Sequence, residues 1–431
     1  MEGDVDLPLR TRMATLAGRL VAEVSRRAGT GAGSNVGGKV TLALDPRALE
    51  LMAAGRRVAL VSGTNGKTTT TRLVTAALAT RGSVATNSAG ANLLPGLVST
   101  LARDEARHAN GESPHWAALE VDEGLLGRAV AAVRPAAIVL LNLSRDQLDR
   151  IGEVRLHAEA WRRAVDGAPA SRVVANADDP LVTWAARAAR MVTWVGTGQR
   201  WRADAASCPA CGNRILWTPE GEGPPVRGGS PWGCTACGLG RPEPALWLEG
   251  DELVTDGGSR IPIRLRLPGW CNLANAAMAA AGAAALGIPL PTAVAAMATV
   301  GTVEGRYEVV EAGGARVRLL LAKNPAGWAE AIDLLRPPPV PVVVAINARV
   351  ADGHDPSWLW DVPFERLQGR FVVATGDRGR DLAVRLRYAS VQHTWAPGWR
   401  EALAAAGAPE VDLVANYTAF QDARRALRGS R

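Results

Sequence analysis

The sequence predicts an α/β protein: a central P-loop nucleotide-binding domain on a parallel sheet, interrupted by a four-cysteine ribbon, then a C-terminal α/β domain of Rossmann-like type. Three observations predict it. An apolar run at 58–61 breaks into Gly63-Thr64-Asn65-Gly66-Lys67-Thr68 and is followed by a helix-compatible segment. Short β-like runs alternate with helical stretches before and after residue 305, the pattern of parallel sheets covered on both faces. Four of the five cysteines fall as Cys208-x-x-Cys211 and Cys234-x-x-Cys237.

Residues 1–55 are expected to form a helical lead-in segment. Within them Leu9, Met13, Leu16, Leu20 and Val24 recur at helical spacing, punctuated by Arg10, Arg12, Arg19, Arg26 and Arg27. The expected role is a helix packed on the next domain; the alternative is a surface lying near anionic lipid headgroups.

The central domain is expected over 56–303. In its loop, Gly63 and Gly66 let backbone N–H groups of Thr64, Asn65 and the Lys67-Thr68-Thr69 turn close around a phosphate, and the following helix adds a favourable partial charge. Lys67 would reach the β/γ-phosphates and the Thr68 hydroxyl would sit on Mg²⁺. The helix is expected over 70–80. Strands are expected at 116–121, 136–142 and 172–176, with helices at 124–133 and 154–165. Ligands bind such sheets at the carboxyl ends of the strands, where Glu120, Asn142 and Asn176 fall. Glu120 is the expected Mg²⁺ carboxylate, with Asp122 and Glu123 as lesser candidates, since hard cations take oxygen ligands. Asn176-Ala-Asp178-Asp179-Pro180 suits either a base or ribose edge or a helix cap.

The Gly/Pro-rich block 201–244 interrupts this rhythm. Each cysteine pair is followed by a glycine, Gly212 or Gly238, as in zinc knuckles. Cys208, Cys211, Cys234 and Cys237 would give the S₄ shell that a structural Zn²⁺ prefers, with no position open for substrate. Disulfides are the competing reading, disfavoured in a reducing compartment. The last domain is expected over 304–431, with strands at 316–321, 340–346, 371–375 and 411–415.

The 431 residues carry 49 basic and 42 acidic side chains, a net charge of +7. The basic residues are dispersed, which argues against nucleic acid as a partner. No apolar run is long enough to span a bilayer, and the acidic opening is unlike a secretory signal. A cytoplasmic protein is expected.

Taken together, the loop at 63–68, Glu120-Val-Asp-Glu-Gly, Asn176-Ala-Asp-Asp-Pro, Asn272-Leu-Ala-Asn275-Ala-Ala and Gly305-Arg306 resemble the Mur ligase superfamily. The cysteine ribbon, the stretch Leu321-Ala-Lys-Asn-Pro-Ala-Gly327 and the stretch Ala351-Asp352-Gly-His-Asp355-Pro-Ser357-Trp358-Leu-Trp360-Asp361 narrow the resemblance to its MurT group. The resemblance implies ATP-dependent amidation of the D-glutamate α-carboxylate in a lipid-linked peptidoglycan stem, through an acyl phosphate. It implies Thr68 and Glu120 on magnesium, with Asn275 and Arg306 beside the nucleotide. It also implies ammonia from a separate GatD-type glutaminase, whose Cys–His pair would be completed by Asp355, with Asp352 and Asp361 as fallbacks. From the residues alone, Asp355 before Pro356 reads as a turn. The sequence departs from many Mur ligases in having Arg145-Asp146-Gln147 where a histidine is common. Competing functions are a stand-alone Mur-type ligase joining an amino acid to a carboxylate and a zinc-ribbon ATPase on nucleic acid.

Overall fold

Continuous burial on both faces makes β1 (Arg57–Ser62) the middle of a large sheet. Val58 and Leu60 join one apolar layer, Ala59 and Val61 the other, and all four are fully buried. A strand that is apolar on both faces must be covered on both. The computed structural model describes residues 7–27, 34–87, 90–107, 116–145, 154–218, 227–301 and 307–428. Around β1, the strands β2 (Val84–Thr86), β3 (Trp116–Glu120), β4 (Ala137–Leu140), β5 (Arg172–Asn176) and β6 (Val192–Gly196) all run parallel. β7 (Ile215–Trp217) and β8 (Trp232–Cys234) form a separate two-stranded ribbon. The chain then rejoins the sheet in β9 (Leu246–Glu249), parallel to β6, and β10 (Glu252–Thr255) and β11 (Arg260–Pro262) add an antiparallel edge.

The order is β11-β10-β9-β6-β5-β4-β1-β3-β2. The connections therefore leave β1 toward β2 and β3 on one side and toward β4 and β5 on the other. Such a reversal opens a crevice at the carboxyl ends of the strands. The pairings Val61↔Glu120, Ser62↔Leu140 and Leu140↔Ala175 bring those ends level.

The helix after the loop runs Lys67–Leu78, three residues earlier than expected. Its first turn is a run of threonines, poor helix formers, and the entry is set instead by Gly66 in the left-handed region (φ 85°). Short strands β2, β6 and β9–β11 go beyond the expected set, because three to five residues are too few to show a period.

Helix Leu9–Arg27 differs from expectation in the face it buries. Thr11, Ala14, Gly18 and Ala22 are buried, and the leucine stripe is exposed. The reason is close approach of backbones. A Cβ on Gly18 would lie 2.6 Å from the Gly37 carbonyl oxygen, and one on Gly37 would lie 2.6 Å from that of Gly18. Only glycines allow this crossing with helix Ser34–Leu44. Thr11 closes it by donating to Asp45 (2.6 Å). This helix and the sheet belong to one compact unit, within 1–143 and 154–301.

The second compact unit, within 302–431 plus 144–153, holds β12 (Tyr307–Ala312), β13 (Ala315–Leu321), β14 (Val342–Ala345), β15 (Val372–Thr375), β16 (His393–Trp395) and β17 (Glu410–Ala415). Their order is β12-β13-β17-β14-β15-β16, parallel except for the β12 edge. Val342 and Val344 face one apolar layer, Val343 and Ala345 the other. β12 and β16 lie outside the expected strands; both are edge strands of mixed polarity. Asn324 in the Leu321–Gly327 stretch caps helix Pro325–Asp333, accepting from the Gly327 N–H (2.8 Å).

Candidate active site

The loop at 63–66 is held from its neighbours. The Thr64 N–H donates to the Asn142 carbonyl (3.0 Å) and the Asn65 N–H to Asn142 Oδ1 (2.8 Å). Asn142 Nδ2 returns a bond to the Asn65 carbonyl (3.0 Å). Asn142, just past the end of β4, is thus the clamp of the loop. A Cβ on Gly66 would lie 2.3 Å from Asn275 Oδ1, so glycine is required here by contact as well as by φ. Asn275 comes from the alanine-rich helix Trp270–Ala285, and its Oδ1 lies 3.3 Å from the Thr70 hydroxyl. Asn275 is therefore placed against the loop. Behind the loop, helix Lys67–Leu78 directs first-turn N–H groups, which carry partial positive charge, toward its N terminus. Thr68 and Thr69 lie in that turn.

Lys67 is buried. Its ammonium donates to the Gly63 carbonyl (2.5 Å), the Thr64 carbonyl (3.2 Å) and the Glu123 carboxylate (2.9 Å). Glu123, a lesser metal candidate on sequence grounds, is here the counter-charge of the loop lysine. Asp122 caps the turn after β3 by accepting from the Gly124 N–H (3.0 Å).

Glu120 is 2% exposed. Asn87 brackets its backbone, Nδ2 donating to its carbonyl (2.8 Å) and Oδ1 accepting from its N–H (2.8 Å). Asn92 Nδ2 donates to Oε1 at 3.3 Å. Oε2 is buried and has no hydrogen-bond partner among the described residues. A buried carboxylate oxygen left without a donor costs several kcal/mol unless a cation is beside it. This oxygen fits a hard divalent cation at the edge of a phosphate loop. Asn87 and Asn92 belong to no motif that the sequence displays; the one local signal is an asparagine just past a short strand.

Asn176 is buried and fully engaged. Its Nδ2 donates to the Leu141 carbonyl (2.9 Å) and Gln199 (2.7 Å), and its Oδ1 accepts from the Asp178 N–H (2.9 Å) and the Thr197 hydroxyl (3.0 Å). It ties strand ends together. Asp179 caps helix Pro180–Ala186, accepting from the Leu181 and Val182 N–H groups, and its other oxygen accepts from the Leu143 N–H. Burial pushes its carboxyl up to about 6 despite these donors. Arg306 and Asp146 lie outside the described residues.

The ribbon hangs on these same strand ends. Arg241 pairs with Asp178 at 2.7 Å, both side chains nearly inaccessible. The Trp232 indole N–H donates to the Ala177 carbonyl (3.1 Å). Among the described residues, the apolar core of the lobe is Cys208, Ile215, Trp232 and Leu239 with a few partly buried neighbours. The four sulfurs lie within 4.8 Å of one another, Cys208–Cys237 and Cys211–Cys234 each at 3.5 Å, and none is in a disulfide. A tetrahedral zinc with bonds of about 2.3 Å needs sulfurs about 3.8 Å apart, so the donor set fits. Gly212 and Gly238 take the left-handed conformation the two knuckles require (φ 79° and 70°). Burial pushes the Cys208 thiol up to about 12, and the Asn213 N–H and side chain pull Cys211 down to about 6.

In the second unit, residues 351–361 form a well-anchored loop. Asp352 is buried, and its carboxylate accepts from the Thr418 N–H (2.8 Å) and hydroxyl. Trp358 packs on Trp328 (6.2 Å between rings), and Arg385 donates to the Leu359 and Val362 carbonyls (3.2 and 2.8 Å). Asp355 is exposed; its Oδ1 accepts from the Ser357 N–H (2.8 Å), which holds its carboxyl below the usual range. Trp360 (55% exposed) and Tyr388 (74% exposed) meet edge to face at 5.4 Å. Asp361 is also exposed and pairs with Arg145 at 3.3 Å.

Comparison with known proteins places this geometry. The Mur ligase middle domain matches residues 61–221 and the MurT ligase C-terminal domain matches 321–420. The chain is 30% identical over 398 residues, 88% of its length and 87% of the relative's, to the lipid II isoglutaminyl synthase (glutamine-hydrolyzing) subunit MurT of Streptococcus pneumoniae. It is 27% identical over 405 residues to the protein of the same name from Staphylococcus aureus, covering 87% of each. Among solved structures, a pseudomurein peptide ligase type C from Methanothermus fervidus has the same fold (TM-score 0.62, 19% identity, 87% of this chain and 78% of that one). MurF from Acinetobacter baumannii does too (TM-score 0.62, 16% identity, 90% and 80%). With both domains matched and the likeness running nearly end to end, the chain belongs to the MurT family of Mur ligases.

Proposed function

We propose that this chain is the ligase subunit of a lipid II isoglutaminyl synthase. It amidates the α-carboxylate of D-glutamate in a lipid-linked peptidoglycan stem, at the cytoplasmic face of the membrane. The observation that carries the reading is the buried, unpartnered Glu120 oxygen beside a phosphate loop whose lysine is already held for an incoming charge. A carboxylate is a poor electrophile. Transfer of the terminal phosphoryl of ATP to one of its oxygens releases ADP and makes an acyl phosphate. Ammonia then attacks the carbonyl carbon, the C–O bond to phosphate breaks, and a primary amide is left with inorganic phosphate.

Lys67, placed by the carbonyls of Gly63 and Thr64, would exchange Glu123 for phosphate oxygens and stabilise charge spreading over the transferred group. The loop and helix N-terminal amides would orient the nucleotide, and Asn275 would line it. Thr68 and Glu120 would hold Mg²⁺, which when bound neutralises phosphate charge. The four cysteines would hold a structural Zn²⁺ that keeps the ribbon, and through Arg241 the strand ends, in place.

The chain has no glycine-flanked cysteine elbow of a glutaminase: Cys271 lies in the first turn of an alanine-rich helix. Ammonia would come from a GatD-type subunit. Asp355 suits the third position of that partner's triad, because it is exposed, ionised and held by Ser357, with Trp360 and Tyr388 nearby as apolar anchors. It would orient the partner's histidine and stabilise its charged form. Asp352 is committed to Thr418.

The test is an assay of the purified chain with its glutaminase partner, muropeptide precursor and glutamine. ATP consumption with one amide formed per ADP is expected. No ATP consumed would overturn the reading. Product carrying an added amino acid, made by this chain alone, would establish a stand-alone ligase instead.

A further inference from the structure

We infer that the exposed face of helix Leu9–Arg27 is a docking surface for an anionic lipid bilayer. Five long apolar side chains share one face at helical spacing, and none helps hold the fold: Leu9 is 74% exposed, Met13 64%, Leu16 56%, Leu20 61% and Val24 67%. The buried side is the opposite one, where Gly18 and Ala22 press on Gly37. At about 100° per residue, Arg10 falls on one flank of the stripe and Arg12 and Arg19 on the other, between the apolar and the buried faces. All three are exposed.

This is how a helix lies in a membrane interface. The stripe enters the acyl boundary, and guanidinium groups on both flanks snorkel to the phosphates. At about 1.5 Å per residue the 19 residues give a contact roughly 28 Å long. The helix carries five arginines and one glutamate, Glu23, which Arg26 and Arg27 bridge. Beside the stripe, a cavity of about 500 Å³ is lined in part by Leu16, Leu20, Arg19, Arg26 and Arg103. Glu23 lines it too and holds Arg26, and Arg103 donates to the Ser99 carbonyl (3.2 Å), so the cavity presents the Arg19 guanidinium beside apolar surface.

The charge chooses the occupant. A second copy docking face to face would set one basic helix on another, and a nucleic acid has no use for five exposed aliphatic side chains. An anionic bilayer satisfies both the stripe and its flanks. No helix among the described residues is long and apolar enough to cross a membrane, so the contact is peripheral. The inference stands on this helix face; the proposed reaction only gives it a purpose, bringing the enzyme to a lipid-linked substrate.

The experiment is flotation of the full chain with vesicles of phosphatidylglycerol and phosphatidylcholine, and with phosphatidylcholine alone, without ATP or substrate. Expected is binding to the anionic vesicles that weakens at high salt and falls roughly tenfold or more in Leu16→Glu/Leu20→Glu. Arg12→Glu/Arg19→Glu should fall similarly. Leu16 and Leu20 are exposed, so thermal melting of the leucine variant should match the parent. Parent protein that stays unbound, or variants that bind as well as the parent, would overturn the inference. So would a dimer in the parent, lost in the leucine variant, without vesicle binding. Failure of the amidation assay alone would leave the vesicle result standing.

Discussion

Glu120 ends β3 and Asp355 lies in the 351–361 loop, one carboxylate in each compact unit, and they sit in opposite surroundings. Glu120 is 2% exposed, bracketed by Asn87, with one oxygen unsatisfied. Asp355 faces solvent and is aimed by the Ser357 N–H. A buried oxygen without a donor stores a demand for a cation inside the protein's own pocket. An exposed, pre-oriented carboxylate on an anchored loop is accessible to a group that arrives from outside. On the proposed reading, the difference assigns the two acidic residues to two reactions, separable by mutation.

The sharpest break in that comparison is Glu120→Gln. The amide keeps the shape and removes the charge. Amidation, followed by mass spectrometry, should fall about a thousandfold with glutamine and with free ammonia alike. Melting temperature should hold or rise, because a buried charge is gone. Activity within severalfold of the parent would mean that Glu120 holds no metal.

Asp355→Asn should separate the two reactions. Glutamine-driven amidation is expected to fall by about a hundredfold or more, since the wrong hydrogen-bonding group would face the partner's histidine. Ammonia-driven amidation should be unchanged. Equal loss with both nitrogen sources would move Asp355 into the ligase chemistry and end the contrast.

Cys208→Ser asks how far the Glu120 side depends on the ribbon. With so small an apolar core, the lobe should lose its zinc and become protease-sensitive, because metal binding supplies most of the folding energy of such a lobe. Loosening Arg241 from Asp178 should lower the ammonia-driven rate severalfold, while the glutaminase binding proposed at the Asp355 loop should be unchanged. Full retention of one zinc per chain, by metal analysis, would refute the site.

Residues whose chemistry is local are legible in the sequence itself. The glycine loop at 63–68 and the two cysteine pairs with their glycines announce a phosphate and a thiophilic metal within a few positions. The parallel strands around them follow from apolar runs. Contacts that close over distance leave no such trace: Asn87 meets Glu120 across 33 residues and Asn142 clamps Asn65 across 77. Helix Leu9–Arg27 shows a subtler limit. Periodicity marks an apolar stripe, but burial follows the glycines, because backbone contact at Gly18 and Gly37 decides which face comes close.

Asp179 tests whether depth or bonding sets the charge of a buried carboxylate, the distinction that decides what Glu120 demands. It is as deep as Glu120, yet it accepts from the N–H groups of Leu143, Leu181 and Val182. Burial raises its pKa from 3.8 to about 6. The folded chain then keeps a proton that the unfolded chain releases, so this group's stabilisation is full below about pH 4 and is lost as pH rises through 6. A rise of that size corresponds to at most about 3 kcal/mol. Asp179→Asn keeps the cap oxygen and cannot titrate. In urea denaturation, parent stability minus variant stability should therefore fall between about pH 4 and 6.5 and stay level above 7. A level difference throughout would mean that three N–H donors hold the ionised form as firmly as water does. Burial alone would then not be what makes Glu120 call for a cation, and the missing donors at its Oε2 would by themselves create that demand.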